Sequence, residues 1–128
     1  MKSPWSGSGN GVFHVTDGVS DEFKRWCRGV LLRQGSALCE PAYDRSLDFA
    51  VEFRAAGGEA HAAGLSVFES DFHNQYVRGI VAPNEQLLQL ITHGFANFEA
   101  VLEAVTDAAS SIVATNYEGN FGIDMMLF

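Results

Sequence analysis

The clearest pattern along the chain is a helical one near its start. Five apolar residues between positions 20 and 34 recur at the spacing of one helix face. They are Phe23, Trp26, Cys27, Val30 and Leu31. The Ser20 hydroxyl can accept an unpaired backbone N–H at the helix start, and Gly35 is suited to end the helix. We therefore predict a helix over 20–34, on which Cys27 is a small buried hydrophobic residue.

The middle of the chain has the pattern of strands. Between residues 47 and 55, large apolar side chains alternate with charged ones, which predicts a half-buried strand. A turn is expected at Gly57 and Gly58, followed by a second strand through Leu65, Val67 and Phe68. The Ala-rich residues 59–66 could instead form a helix. Further strands are predicted at 12–15 and 76–81.

Two more helices and an apolar end complete the pattern. Asn84 is predicted to cap a helix over 85–92, and a long amphipathic helix is predicted over 95–114. Eight residues of the long helix share its apolar face. They are Phe95, Phe98, Val101, Leu102, Val105, Ala109, Ile112 and Val113. Residues 121–128 are too apolar to be left exposed and predict a final strand or a docked tail.

Together these elements predict the order β-α-β-β-β-α-α-β and an α+β fold. We expect a single domain over 12–128, with a mostly antiparallel sheet of about four to five strands and two or three helices on one face. Residues 1–11 are rich in Ser, Gly and Asn and are predicted to be a flexible N-terminal lead.

Composition narrows the choice of partners. The 128 residues are 47% hydrophobic, which is enough for one core. Eight basic residues against sixteen acidic ones give a net charge of −8, the opposite of the balance that phosphate contacts require. We find neither a secretory signal nor an apolar stretch long enough to span a bilayer. We therefore expect a cytoplasmic protein with no nucleic-acid or membrane partner.

The acidic residues are concentrated in the second half of the chain. All Lys and Arg residues lie at or before Arg78, whereas 79–128 contain six acids and no base. Glu99, Glu103 and Asp107 are spaced at i, i+4 and i+8, so a helix would place them in one acidic stripe. Like charges at this spacing destabilise a helix by roughly 0.2–0.5 kcal/mol per pair.

Two interpretations of this stripe stay open. It is either a solvated face, which the basic side of helix 20–34 could also neutralise, or a docking face for a basic protein. In the second case Glu99, Glu103 and Asp107 are the anchors. Three further residues are predicted at the edge of the interface. They are Glu85, Tyr117 and Glu118.

Candidate chemical sites are few. Glu59 and Asp71 each stand two residues before a histidine, His61 and His73, and such pairs could hold a metal or act as acid and base. Short pairs of this kind also arise often by chance, so we predict surface histidines, with no metal, no cofactor and no catalytic residue. Cys27 and Cys39 fit no common zinc spacing. The sequence contains no nucleophile elbow and no phosphate-binding loop.

These observations favour a non-enzymatic acidic protein that binds a basic protein partner. In size, charge and architecture the chain resembles immunity proteins, which inhibit toxins, although no motif ties it to them. The alternatives are a secretion chaperone for a basic effector, and a small enzyme or ligand-binding domain with a His/carboxylate site. A homodimer held by residues 121–128 is a further alternative.

Overall fold

A computed structural model describes residues 1–7, 9–16, 18–71, 74–113 and 117–128. These residues form three helices and one four-stranded antiparallel sheet, which confirms the predicted α+β class. In chain order the elements are α1 (Asp21–Gln34), β1 (Leu47–Ala56), β2 (Glu59–Ser70), β3 (Tyr76–Ile80), α2 (Asn84–Gly94), α3 (Phe98–Val113) and β4 (Gly119–Leu127).

The described chain divides into two compact units. The first unit comprises residues 1–44 and 70–77, and the second comprises 45–69 and 78–128. A single domain over 12–128 and a flexible lead over 1–11 remain predictions.

Helix α1 is the main element of the first unit, and its ends are as predicted. The Ser20 hydroxyl accepts a hydrogen bond from the Phe23 N–H at 3.1 Å, and Gly35 adopts the left-handed conformation, with φ 76°, that ends the helix. The Phe13 ring packs against Phe23 and Trp26 on the apolar face, with ring centroids 5.5 and 5.6 Å apart. Aromatic packing of this kind holds the segment before α1 against the helix.

The predicted strand at 12–15 is wrong. Only Val12 pairs, in a single bridge to Lys2, and Lys2 also bridges to Leu38. A run of β-favouring residues forms a strand only where a neighbouring strand pairs along it, and this run has one paired residue.

The sheet belongs largely to the second unit and has the order β3-β2-β1-β4. Strand β1 is central and pairs antiparallel with β2 and with β4 along its length. The turn at Gly57 and Gly58 is confirmed, and both glycines have positive φ angles. The helical alternative for residues 59–66 is wrong, because every residue from Glu59 to Ala62 pairs with β1.

One face of the sheet carries the core of the second unit. Alternate residues of β1 point into it, and α2 and α3 cover it with their own apolar sides. Its buried residues are Phe49, Val51, Phe53, Ala55, Ala60, Val67, Leu87, Ile91, Phe98, Ala109 and Val113. This layer of helices on one face of the sheet is the arrangement that the sequence predicted.

The later helices differ from prediction in three details. Pro83, not Asn84, occupies the cap position of α2, and the Asn84 side chain instead accepts a hydrogen bond from the Leu65 N–H at 3.3 Å. Helix α3 begins at Phe98, three residues later than predicted, because Phe95 follows α2 in an extended conformation. Ile112, assigned to the apolar face of α3, is 70% exposed.

Candidate functional site

The predicted acidic stripe lies on the exposed side of α3. Glu99, Glu103 and Asp107 are all exposed. Successive members are separated by about 6 Å along the helix axis, so that the stripe is about 12 Å long. Among the described residues none of these three carboxylates has an ion-pair partner within 4.0 Å. Within the described residues the stripe is therefore a row of three negative charges that form no ion pair.

The core fixes the rotation of α3 that exposes this stripe. Phe98, Ala109 and Val113 are buried against the sheet. On the same helix the Ser110 hydroxyl accepts a hydrogen bond from the Ala60 N–H of β2, at 3.2 Å. Turning the stripe inward would break this bond and expose the apolar side, so the outward position of the carboxylates is a property of the fold.

A row of exposed alanines runs beside the stripe. Ala100, Ala104 and Ala108 repeat the same i, i+4, i+8 spacing and are all exposed. Ala100 and Glu103, like Ala104 and Asp107, are three residues apart, so the two rows are neighbours on the helix surface. Sequence reasoning did not use these alanines, although the spacing that revealed the stripe also reveals them. We call the stripe and this alanine row together the acidic face of α3.

The second unit as a whole is strongly negative. It contains ten carboxylates and three arginines, so it carries −7 of the total charge of −8. Arg45 pairs with Asp48 at 3.2 Å, and Arg78 pairs with Glu69 at 2.8 Å. The third, Arg54, stands between the inward-facing Phe53 and Ala55 and so points away from the face on which α3 packs. Among the described residues, no arginine of this unit forms an ion pair with a carboxylate of the stripe.

The Glu69–Arg78 pair is the clearest electrostatic contact in this unit. Two guanidinium nitrogens of Arg78 donate to the two carboxylate oxygens of Glu69, at 2.8 and 2.9 Å. These hydrogen bonds, followed by the smaller Coulomb attraction, hold the pKa of Glu69 below its ordinary value. Because both carboxylate oxygens are engaged, Glu69 is less available to a partner than the carboxylates of the stripe.

Tyr117 and Glu118, predicted at the edge of the interface, have local roles in the fold. The Tyr117 hydroxyl donates to the Asn120 carbonyl at 2.8 Å, and its ring meets Phe121 edge to face. The Glu118 carboxylate accepts a hydrogen bond from the Gly57 N–H in the β1–β2 turn, at 2.9 Å. Glu85 is exposed in the first turn of α2, where the helix dipole favours a carboxylate. Partner contact by these three residues stays a prediction.

The histidine pairs do not form a site among the described residues. The His61 and Glu59 side chains are 3.8 Å apart and both largely exposed. Asp71 instead accepts a hydrogen bond from the Gln75 N–H at 2.9 Å, and His73 lies outside the described residues. The described part of the chain contains no cluster of three or more metal-ligating side chains. Cys27, half-buried, and Cys39, exposed, are free thiols.

Comparison with known protein families, with curated proteins and with solved structures finds no match to this chain. Within the described residues no helix is long and apolar enough to cross a membrane.

Proposed function

We propose that this chain is a non-enzymatic binding protein that docks a basic protein partner on the acidic face of α3. The observation that carries the proposal is the row formed by Glu99, Glu103 and Asp107, which is exposed and forms no ion pair within the described part of the chain. A basic partner would supply the missing charge. Complementary charge of this kind raises association rates and selects partners.

The repulsion between like charges within α3 supports binding to a basic partner. The two like-charge pairs of the stripe each cost roughly 0.2–0.5 kcal/mol in the free helix. Asp107 lies beyond the first turn of α3, where the helix dipole gives it little stabilisation. Lysine or arginine side chains of a partner would turn this repulsion into attraction on binding.

The shape of the acidic face also suits a protein partner. The exposed side chains of Ala100, Ala104 and Ala108 are short, so a partner backbone can approach α3 closely. The carboxylates alongside this row would then reach partner cations at its border. Ile112, 70% exposed near the end of the helix, adds an apolar contact.

An immunity protein is the form of this function that we favour. A toxin that acts on a nucleic acid or another anionic substrate carries Lys and Arg residues at its site. The acidic face would pair with those residues and block access of the substrate. A secretion chaperone for a basic effector would use the same contacts, and the identity of the captured protein distinguishes the two. In either form we expect the protein to act in the cytoplasm of a bacterium.

Capture of the partner with matched variants tests this proposal. The purified chain, the stripe variant E99K/E103K/D107K and the control E22K/D44K/E59K are each incubated with lysate of the source cells. The two variants change the net charge equally, and the control residues are exposed acids that lie outside α3 in the sequence. We expect one stoichiometric basic protein on the wild-type chain and on the control, released by high salt, and its absence from the stripe variant.

Two outcomes would overturn the proposal. One is a partner that the stripe variant retains as well as the wild-type chain does. The other is the absence of any stoichiometric partner at low and high salt. Circular dichroism of all three proteins establishes that they are equally folded before they are compared.

A further inference from the structure

The two edges of the sheet differ in how well they are protected against pairing with another strand. Edge strand β3 has five residues, including Arg78, and Pro83 follows it closely. Edge strand β4 has nine residues, with no proline, lysine or arginine and with Asp124 as its one charge. Short length, positive charge and proline are the usual guards of an edge strand. Strand β4 lacks all three.

The side chains of β4 are arranged for pairing with a second strand. Odd-numbered residues from Phe121 to Leu127 pack partly into the core, whereas the even-numbered ones, Asp124 and Met126 among them, are exposed on the other face. The half-buried residues lie at the border of the core layer, and a further strand beside β4 would cover them. No strand lies beyond β4 among the described residues.

The sequence of β4 is complementary to itself in one antiparallel register. Ile123 is its central residue, and two copies paired about Ile123 overlap over all nine residues. In this register Asp124 lies opposite Gly122 of the partner copy, so the two Asp124 carboxylates are diagonal neighbours and are not directly opposite each other. Phe121 lies opposite Met125, a favourable contact between sulfur and an aromatic ring. A register centred on Asp124 would place the two carboxylates opposite each other.

We propose that two copies of this chain form a symmetric dimer by antiparallel pairing of β4 with β4 about Ile123. The pairing extends the four-stranded sheet of each copy into a continuous eight-stranded sheet. The interface is distinct from the acidic face of α3, so a dimer would present that face twice. This inference does not depend on the proposed function.

The charge of the second unit sets the salt dependence of this dimer. Each copy brings −7 in this unit, so long-range repulsion opposes association at low ionic strength. Salt at 0.5 M screens that repulsion and leaves the backbone hydrogen bonds and apolar contacts between the strands. We therefore expect the dimer dissociation constant to fall as salt rises, the opposite of the behaviour expected for the complex with a basic partner.

A charge pair placed across the interface tests the register. Asn120 and Met126 are exposed, and the proposed register makes each the other's partner across the dimer axis. Within one copy Asn120 lies opposite Arg54, and Met126 lies opposite Asp48. Each of the substitutions N120E and M126K therefore places a charge opposite one of the other sign in the same chain. The control N120E/S36K has the same net charge, and Ser36 is exposed and outside β4.

Sedimentation equilibrium gives the dissociation constants of the wild type, N120E/M126K and N120E/S36K. The two new cross-strand pairs in N120E/M126K should tighten its dimer roughly fivefold relative to the control. A wild-type chain and an N120E/M126K variant that are both monomeric at millimolar concentration would overturn the dimer. A dimer with the same dissociation constant in both variants would overturn pairing through β4.

Discussion

At the scale of single residues, the carboxylates of the second unit fall into two groups. Some are held by the fold, as Glu69 is by Arg78 and Glu118 is by the Gly57 N–H. Others, as in the stripe of α3, form no ion pair among the residues that the structure describes. A partner that docks on this unit gains most from the second group, because those charges need not give up an existing contact. This distinction follows from side-chain geometry and is not visible in the composition.

We expect R78Q to raise the pKa of Glu69 towards its ordinary value, because the two guanidinium hydrogen bonds that lower it are lost. The pairing stabilises the fold above the ordinary pKa of a glutamate, and this contribution is lost as the pH falls through the lowered pKa. Side-chain NMR titration measures the shift. The control R54Q removes an arginine with no acidic partner among the described residues and should leave the pKa of Glu69 where it is.

At the scale of elements, the sequence pattern correctly predicted the features that depend on residues close together in the chain. The alternation that predicted a strand over 47–55 is found as β1, and the cap and stop signals of α1 are confirmed. The predictions were wrong where contact with a distant segment of the chain determines the local structure. Residues 12–15 lack a strand that pairs along them, and the Asn84 side chain binds the Leu65 backbone rather than its own helix. The Ala-rich residues of β2 were ambiguous because pairing with β1, not propensity, makes them a strand.

Truncating a buried side chain of α2 should reduce stability far more than truncating an exposed side chain of α3. Ile91 of α2 is fully buried, so I91A should lower the free energy of unfolding by about 2–5 kcal/mol through lost burial and the cavity left behind. I112A removes the same atoms from a largely exposed side chain of α3 and should cost well under 1 kcal/mol, on the order of 0.5. Chemical denaturation of both variants gives the comparison. Equal losses in the free energy of unfolding of the two variants would mean that α2 and α3 do not pack on the sheet as described.

Relieving the repulsion within the stripe should stabilise the free protein. Glu103 has a like charge four residues away on each side, so E103Q removes both unfavourable pairs. We expect the free energy of unfolding to rise by about 0.4–1 kcal/mol at low salt and by less at 0.5 M salt. Denaturant unfolding at the two salt concentrations measures this change. A loss of stability in E103Q would show that the carboxylate has a stabilising contact and would remove the energetic argument for a partner.

At the scale of the whole molecule, charge and fold together define the candidate site. The sequence was sufficient to predict the three stripe residues and their exposure, because helical spacing and the apolar positions of α3 are both local information. It could not predict that Glu118 binds the β1–β2 turn, since that contact depends on how β4 meets β1. Nor could composition alone show that none of the described arginines of the second unit forms an ion pair with the stripe.

The most direct test of the proposed function is the association rate constant of the captured basic partner, measured by stopped-flow fluorescence as a function of salt. We expect E99K/E103K/D107K to lower this rate constant at least about tenfold at low salt and to abolish its decrease with added salt. The control E22K/D44K/E59K, with the same net charge, should retain most of the wild-type rate. An unchanged rate constant in the stripe variant, or an equal loss in the control, would contradict docking on the acidic face of α3.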